Sequence, residues 1–117
     1  MKKPDQHKKT RVAITEAKYE TMDADMESLM DLLGMGPWLK KLRGAKVFIK
    51  PNLLGMFPRE NQATTDPSLV SAMVRIVREA GAKVIVGDNC GVGGYGLNEK
   101  VARHTGVFDA AMGAYKN

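Results

Sequence analysis

The chain has 117 residues, the size of one domain and too short for two. Hydrophobic residues make up 44% and charged residues 26%, an ordinary globular balance that excludes a fibrous repeat or wholesale disorder. A single cysteine, Cys90, excludes an internal disulfide, a cysteine-rich zinc site and an iron–sulfur cluster held by this chain alone.

The formal charge is +5, but Lys2, Lys3, Lys8 and Lys9 against Asp5 account for +3 of it at the amino terminus. In the body an acidic stretch from Glu16 to Asp31 precedes a basic one from Lys40 to Arg59, with no interleaving of basic and aromatic residues. A solubilising tail fits this segregation better than a nucleic-acid surface. Residues 1–10 read as a disordered basic tail and residues 11–117 as one α/β domain. Met1 to Thr10 has no apolar run of a secretory signal, and no stretch approaches the roughly 18 apolar residues of a membrane helix. A reducing cytoplasmic compartment is the expectation, with no membrane partner.

From Arg11 to Ala17, Val12 and Ile14 alternate with Ala13 and Thr15, the period of a first strand with one buried face. Thr21 then introduces an amphipathic helix whose apolar stripe is Met22, Met26, Leu29, Met30 and Leu33, closed at Gly34 or Gly36. Pro37 opens a short helical turn from which Trp38, Leu39 and Leu42 can pack back onto the core. Val47, Phe48 and Ile49 predict a strand covered on both faces, ending in Lys50, Pro51 and Asn52. The loop from Leu53 to Thr65 is long enough to suggest function.

Asp66 and Pro67 cap a helix with a broad apolar stripe running to Gly81. Val84, Ile85 and Val86 predict a second buried strand, ended by Gly87, Asp88, Asn89 and Cys90. The glycine-rich stretch from Gly91 to Gly96 leads to helices over Leu97 to Arg103 and from Val107 to Tyr115. Alternating strands and helices imply a layered α/β fold with a mostly parallel sheet of about three strands covered by helices. The eight methionines fall mostly on helical stripes and read as core filler.

Ligands of open parallel sheets collect beyond the carboxyl ends of the strands. Lys50 and Asn52 finish one strand here, and Asp88, Asn89 and Cys90 finish another. If the strands are neighbours, these groups converge beside the helix that starts at Asp66, an arrangement suited to a phosphate or carboxylate, with Asp88 free for a divalent metal or a hydroxyl. Taken singly, each of these residues also fits a plain turn after a strand. Gly91, Gly93 and Gly96, with Gly94 between them, satisfy G-x-G-x-x-G between a strand and a helix. Three polar residues precede the first glycine, however, and the acidic residue expected about 20 positions on, Asp109, lies in a helical pattern. An anion cradle or a flexible lid fits better than a dinucleotide fingerprint. Cys90 lacks a neighbouring histidine and reads as a buried thiol; Thr64 and Thr65 either bind phosphate or complete the turn.

Three stretches stand in the order of a known family: Val47 to Leu54 (Val-Phe-Ile-Lys-Pro-Asn-Leu-Leu), Thr64 to Pro67 (Thr-Thr-Asp-Pro) and Ala80 to Asp88 (Ala-Gly-Ala-Lys-Val-Ile-Val-Gly-Asp). The chain resembles the domain of unknown function 362 family from about Arg11 to Ala114, in what is expected to be the N-terminal part of that domain. The resemblance implies an α/β fold and singles out Lys50, Asn52, Thr65, Asp88 and the loop glycines. Many family members carry a ferredoxin-like segment, which implies an iron–sulfur, oxidoreductase setting supplied from outside these residues. Two functional readings follow. One is an enzyme domain, or a piece of one, that binds an anionic small molecule or cofactor at the strand ends. The other is a non-catalytic assembly module whose sheet is completed by self-association or by a further segment.

Overall fold

The structure, a computed structural model, describes residues 9–92 and 95–116. Its sheet consists of β1 (Lys46–Ile49) and β2 (Lys83–Val86), paired in parallel with Lys46 opposite Lys83 and Ile49 opposite Val86. Parallel neighbours require a crossover, and α3 (Pro67–Glu79) supplies it. That helix starts where the sequence predicts: the Asp66 side chain accepts a hydrogen bond from the Ser68 N–H at 2.9 Å, and Pro67 occupies the first turn.

Two apolar clusters flank α3. Val70 and Val74 pack with Leu53, Cys90, Val101 and Val107, against the inward strand residues Ile49, Val84 and Val86. Ala72 and Ile76 pack instead with Met26 of α1 (Met22–Leu33), surrounded by Met22, Met30 and Met73. Those methionines are core filler, as their spacing predicts. Gly34 ends α1 in the left-handed conformation at φ 67°, its N–H donating to the Asp31 carbonyl. After the short α2 (Gly36–Lys40), Leu42 is buried and Leu39 partly so, whereas Trp38 stays largely exposed.

Beyond β2 come α4 (Asn98–His104) and α5 (Val107–Met112). Gly106 joins them at φ 80°, and a Cβ there would lie 3.0 Å from the Tyr115 ring and 3.3 Å from Pro67. Backbone conformation and space both restrict this position to glycine.

The layered α/β class holds, with three corrections. The sheet has two strands among the described residues rather than about three. The segment from Arg11 to Ala17 is extended chain, not a strand, with Val12 80% and Ile14 88% exposed. Alternation makes a segment competent for a strand, but here no edge takes its hydrogen bonds and no layer covers its apolar face. The strands are also covered on one face only, so that Phe48 is 60% and Ile85 52% exposed. A three-residue apolar run cannot distinguish one covered face from two. The predicted tail falls almost wholly on residues 1–8, outside the described residues.

Asp66 also receives both Nε and Nη2 of Arg59. Asp66→Ala is expected to lower stability by about 1–2 kcal/mol through loss of the cap, measured by urea denaturation. A change within about 0.5 kcal/mol, typical of a surface substitution, would show that the cap contributes little.

Candidate functional site

The carboxyl ends of β1 and β2 lie side by side, and the Gly87 N–H donates to the Ile49 carbonyl at 3.1 Å, carrying the pairing one residue past the strands. Both chains then turn polar. Lys50 Nζ lies 2.8 Å from Asp88 Oδ1, with the lysine side chain 65% and the aspartate side chain 7% exposed. Asp88 Oδ2 accepts the Leu53 N–H at 2.8 Å. The Lys50 ammonium and then the Leu53 N–H hold the Asp88 carboxyl below its ordinary pKa, against the opposing effect of burial.

Asn52 and Thr65 are stitched to each other. The Asn52 N–H donates to Thr65 Oγ1 at 2.8 Å, and the Thr65 N–H donates to the Asn52 carbonyl at 2.9 Å. Asn52 Nδ2 donates to the Ala63 carbonyl at 2.8 Å, and the Thr64 hydroxyl donates to the Gly55 carbonyl at 3.4 Å. Together these bonds close the base of the loop from Leu53 to Thr65. Inside the loop, the Arg59 guanidinium forks onto Asp66 and stacks 3.7 Å from the centre of the Tyr19 ring. Burial works to raise the Asp66 pKa, but the hydrogen bonds from Arg59 and Ser68 outweigh it and leave the carboxyl below its ordinary value.

The second loop is tied to the first by the Val92 N–H, which donates to the Leu54 carbonyl at 2.8 Å. A Cβ on Gly91 would lie 3.1 Å from Leu54, so a small residue lets the two loops approach. Asn98 at the start of α4 accepts the Cys90 N–H at 2.7 Å and donates from Nδ2 to Asn89 Oδ1 at 3.1 Å. Cys90 is buried, and its thiol donates to the Val92 carbonyl at 3.3 Å.

Of the residues singled out by sequence, Lys50 and Asp88 are thus in direct contact. Asn52 and Thr65 brace the adjoining loop, Asn89 sits on the exposed side, and Gly91 and Gly96 are exposed. Gly93 and Gly94 lie outside the described residues. Among the described residues no three of His, Cys, Asp and Glu gather as a metal site, and Asp88 is engaged by Lys50 and Leu53. Sequence reasoning missed Arg59 and Asn98. The only available signal for Arg59 was a cation in a loop running up to a capping aspartate; for Asn98 it was an amide at the start of a helix after a glycine-rich turn.

A cavity of about 180 Å³ adjoins Asp88, between the end of β2 and the α4–α5 pair. A larger cavity, about 510 Å³, lies at the opposite end of the sheet, beside Arg43 before β1 and Ala80 before β2. It is therefore remote from the polar strand ends.

Fold and site together define a small parallel α/β domain whose two strands deliver a lysine and an aspartate to a common edge. Residues 47–115 match the family model described as Domain of unknown function (DUF362), and the chain belongs to that family. It is also similar to a thylakoid-associated protein of Synechocystis sp., with 37% identity over 67 residues, covering 56% of this chain and 20% of the relative. The matched stretch is thus a minor part of that relative's length. No solved structure matches the chain. No helix among the described residues is long and apolar enough to cross a membrane.

Asp88→Ala removes the partner of Lys50 and of the Leu53 N–H, and an expected loss of about 1.5–3 kcal/mol follows from one charge-assisted hydrogen bond. The folded pKa of Asp88 lies below the unfolded value, so this stabilisation is present above about pH 4 and is lost as pH falls through the folded pKa. In urea titrations the gap between wild type and variant should be widest near neutrality and close in acid. A gap independent of pH would contradict the ion pair.

Proposed function

We propose that the carboxyl edge of the sheet binds a small anionic molecule or cofactor, with Lys50 as its charged anchor. The observation that carries this reading is an ammonium fixed at a strand end by a buried carboxylate, while most of the lysine side chain faces solvent. An ammonium has three N–H donors, and Asp88 engages one side of it. Asp88 acts here as a positioning residue, holding the lysine against the entropy that a free side chain would lose on binding. The carboxylate also compensates much of the lysine charge, so affinity comes from hydrogen bonds as much as from net attraction. Asn89, exposed and next in sequence to Asp88, is a further candidate donor. Any iron–sulfur cluster serving this site would be held by another chain or segment, because Cys90 is this chain's single cysteine and is buried.

Phosphate, pyrophosphate and citrate titrated into isotopically labelled protein should perturb the amide resonances of Lys50, Gly87, Asp88 and Asn89. Lys50→Met keeps the aliphatic stem and should weaken the best of these ions by roughly 10-fold to 150-fold, the equivalent of about 1.5–3 kcal/mol. Perturbations scattered over the surface, or unaltered by the substitution, would remove the site.

A second reading, an assembly module, is favoured by one distinct observation. Phe48 and Ile85 stand opposite each other in the strand register on the uncovered face of a sheet with two strands. Unpaired edges and an apolar face promote association. The chain should sediment above its monomer mass at micromolar concentration, and Phe48→Lys should shift it toward monomer. A monomer for both proteins would discard self-association.

A further inference from the structure

We infer that the ligand anchored by Lys50 is amphiphilic, its acid group meeting the ammonium while a compact apolar group enters the adjoining cavity. This inference rests on the anion reading above and adds the class of molecule. The cavity measures about 180 Å³, somewhat more than the roughly 150 Å³ that holds a benzene molecule in an engineered protein. Its walls are Leu53 and Val86 on the sheet side and Ala102, Val107, Phe108 and Ala111 on the helix side. The two alanines leave the room, since bulkier residues on facing helices would fill it to the density usual in a protein interior.

The polar groups at the cavity's edge are already engaged. Asp88 takes Lys50 and the Leu53 N–H, while Asn98 holds Cys90 and Asn89. Among the described residues no buried side-chain nitrogen or oxygen lacks a partner. A polar body entering the cavity would therefore lose hydration without recovering hydrogen bonds, whereas an apolar one gains by burial. Asp88 both lines the cavity and holds Lys50 Nζ at 2.8 Å. The anchor and the cavity thus share one residue. An acid group attached directly to a six-membered ring, or to a branched chain of similar bulk, is the simplest molecule of that kind.

The test uses the full chain with benzoate, acetate, benzyl alcohol and inorganic phosphate as probes, followed by amide resonance shifts. Burial of each methylene-sized group is worth roughly 4-fold, so benzoate should bind at least about 10-fold more tightly than acetate. Its shifts should extend from Lys50 to Ala102, Phe108 and Ala111. Ala111→Leu, which fills the cavity, should abolish the advantage of benzoate while leaving phosphate affinity unchanged. If that variant does not fold, Phe108→Ala enlarges the cavity instead and should favour 2-naphthoate over benzoate.

Equal affinity for benzoate and acetate, with phosphate still bound at Lys50, would overturn the apolar requirement and leave the anion site standing. Benzyl alcohol binding as well as benzoate would also overturn it, since Lys50 would then play no part. Failure of every anion to bind, phosphate included, would remove the underlying site and this inference with it.

Discussion

The carboxylate of Asp88 is the point at which both strand ends and the long loop meet. A carboxylate this far removed from water must be compensated by charge or hydrogen bonds, and two groups do so: the Lys50 ammonium and the Leu53 N–H. Each imposes geometry on the chain that bears it. Lys50 turns toward β2, and Leu53 presents its amide to the sheet and its side chain to the core. Asn52, between them, is left to stitch itself to Thr65. Thr65 in turn precedes Asp66, whose side chain caps α3 and receives Arg59 from inside the loop. The start of the crossover helix is therefore fixed by a succession of bonds that begins at the end of the other strand.

Much of this was legible in the sequence because it depends on local chemistry. Apolar runs ended by Lys-Pro-Asn and Gly-Asp-Asn mark strands that stop abruptly, and Asp-Pro marks a helix start. Parallel pairing of strands joined by one helix follows from connectivity, and it brings Lys50 to Asp88. What could not be read is what depends on distant partners. Val12 and Ile14 have the alternation of a strand, but alternation does not supply an edge to pair with. Val47, Phe48 and Ile49 are apolar whether one face is covered or both. Trp38 sits beside Leu39 and Leu42 in sequence, yet the short α2 cannot turn all of them to the core. Arg59 and Asn98 were missed because their partners are fixed by the fold of two loops, which no periodicity encodes.

The two functional readings use different surfaces of the same strands. Side chains alternate across a strand, so Val47, Ile49, Val84 and Val86 face the core while Phe48 and Ile85 face outward. The ligand edge lies beyond both strands and is built from residues that follow them. A segment or second copy laid against the outer face would accordingly leave Lys50 reachable from the strand ends.

The two surfaces nevertheless share one contact. A Cβ on Gly87 would lie 3.3 Å from the Phe48 ring, so the ring already rests against the residue that leads into Asp88. Glycine at position 87 lets the aromatic ring approach this closely. The outward face and the strand-end edge therefore meet at a single backbone position, Gly87, which packs against Phe48 and leads directly into Asp88. No long path separates the two, because Lys50 follows Phe48 by two residues, just past the end of β1.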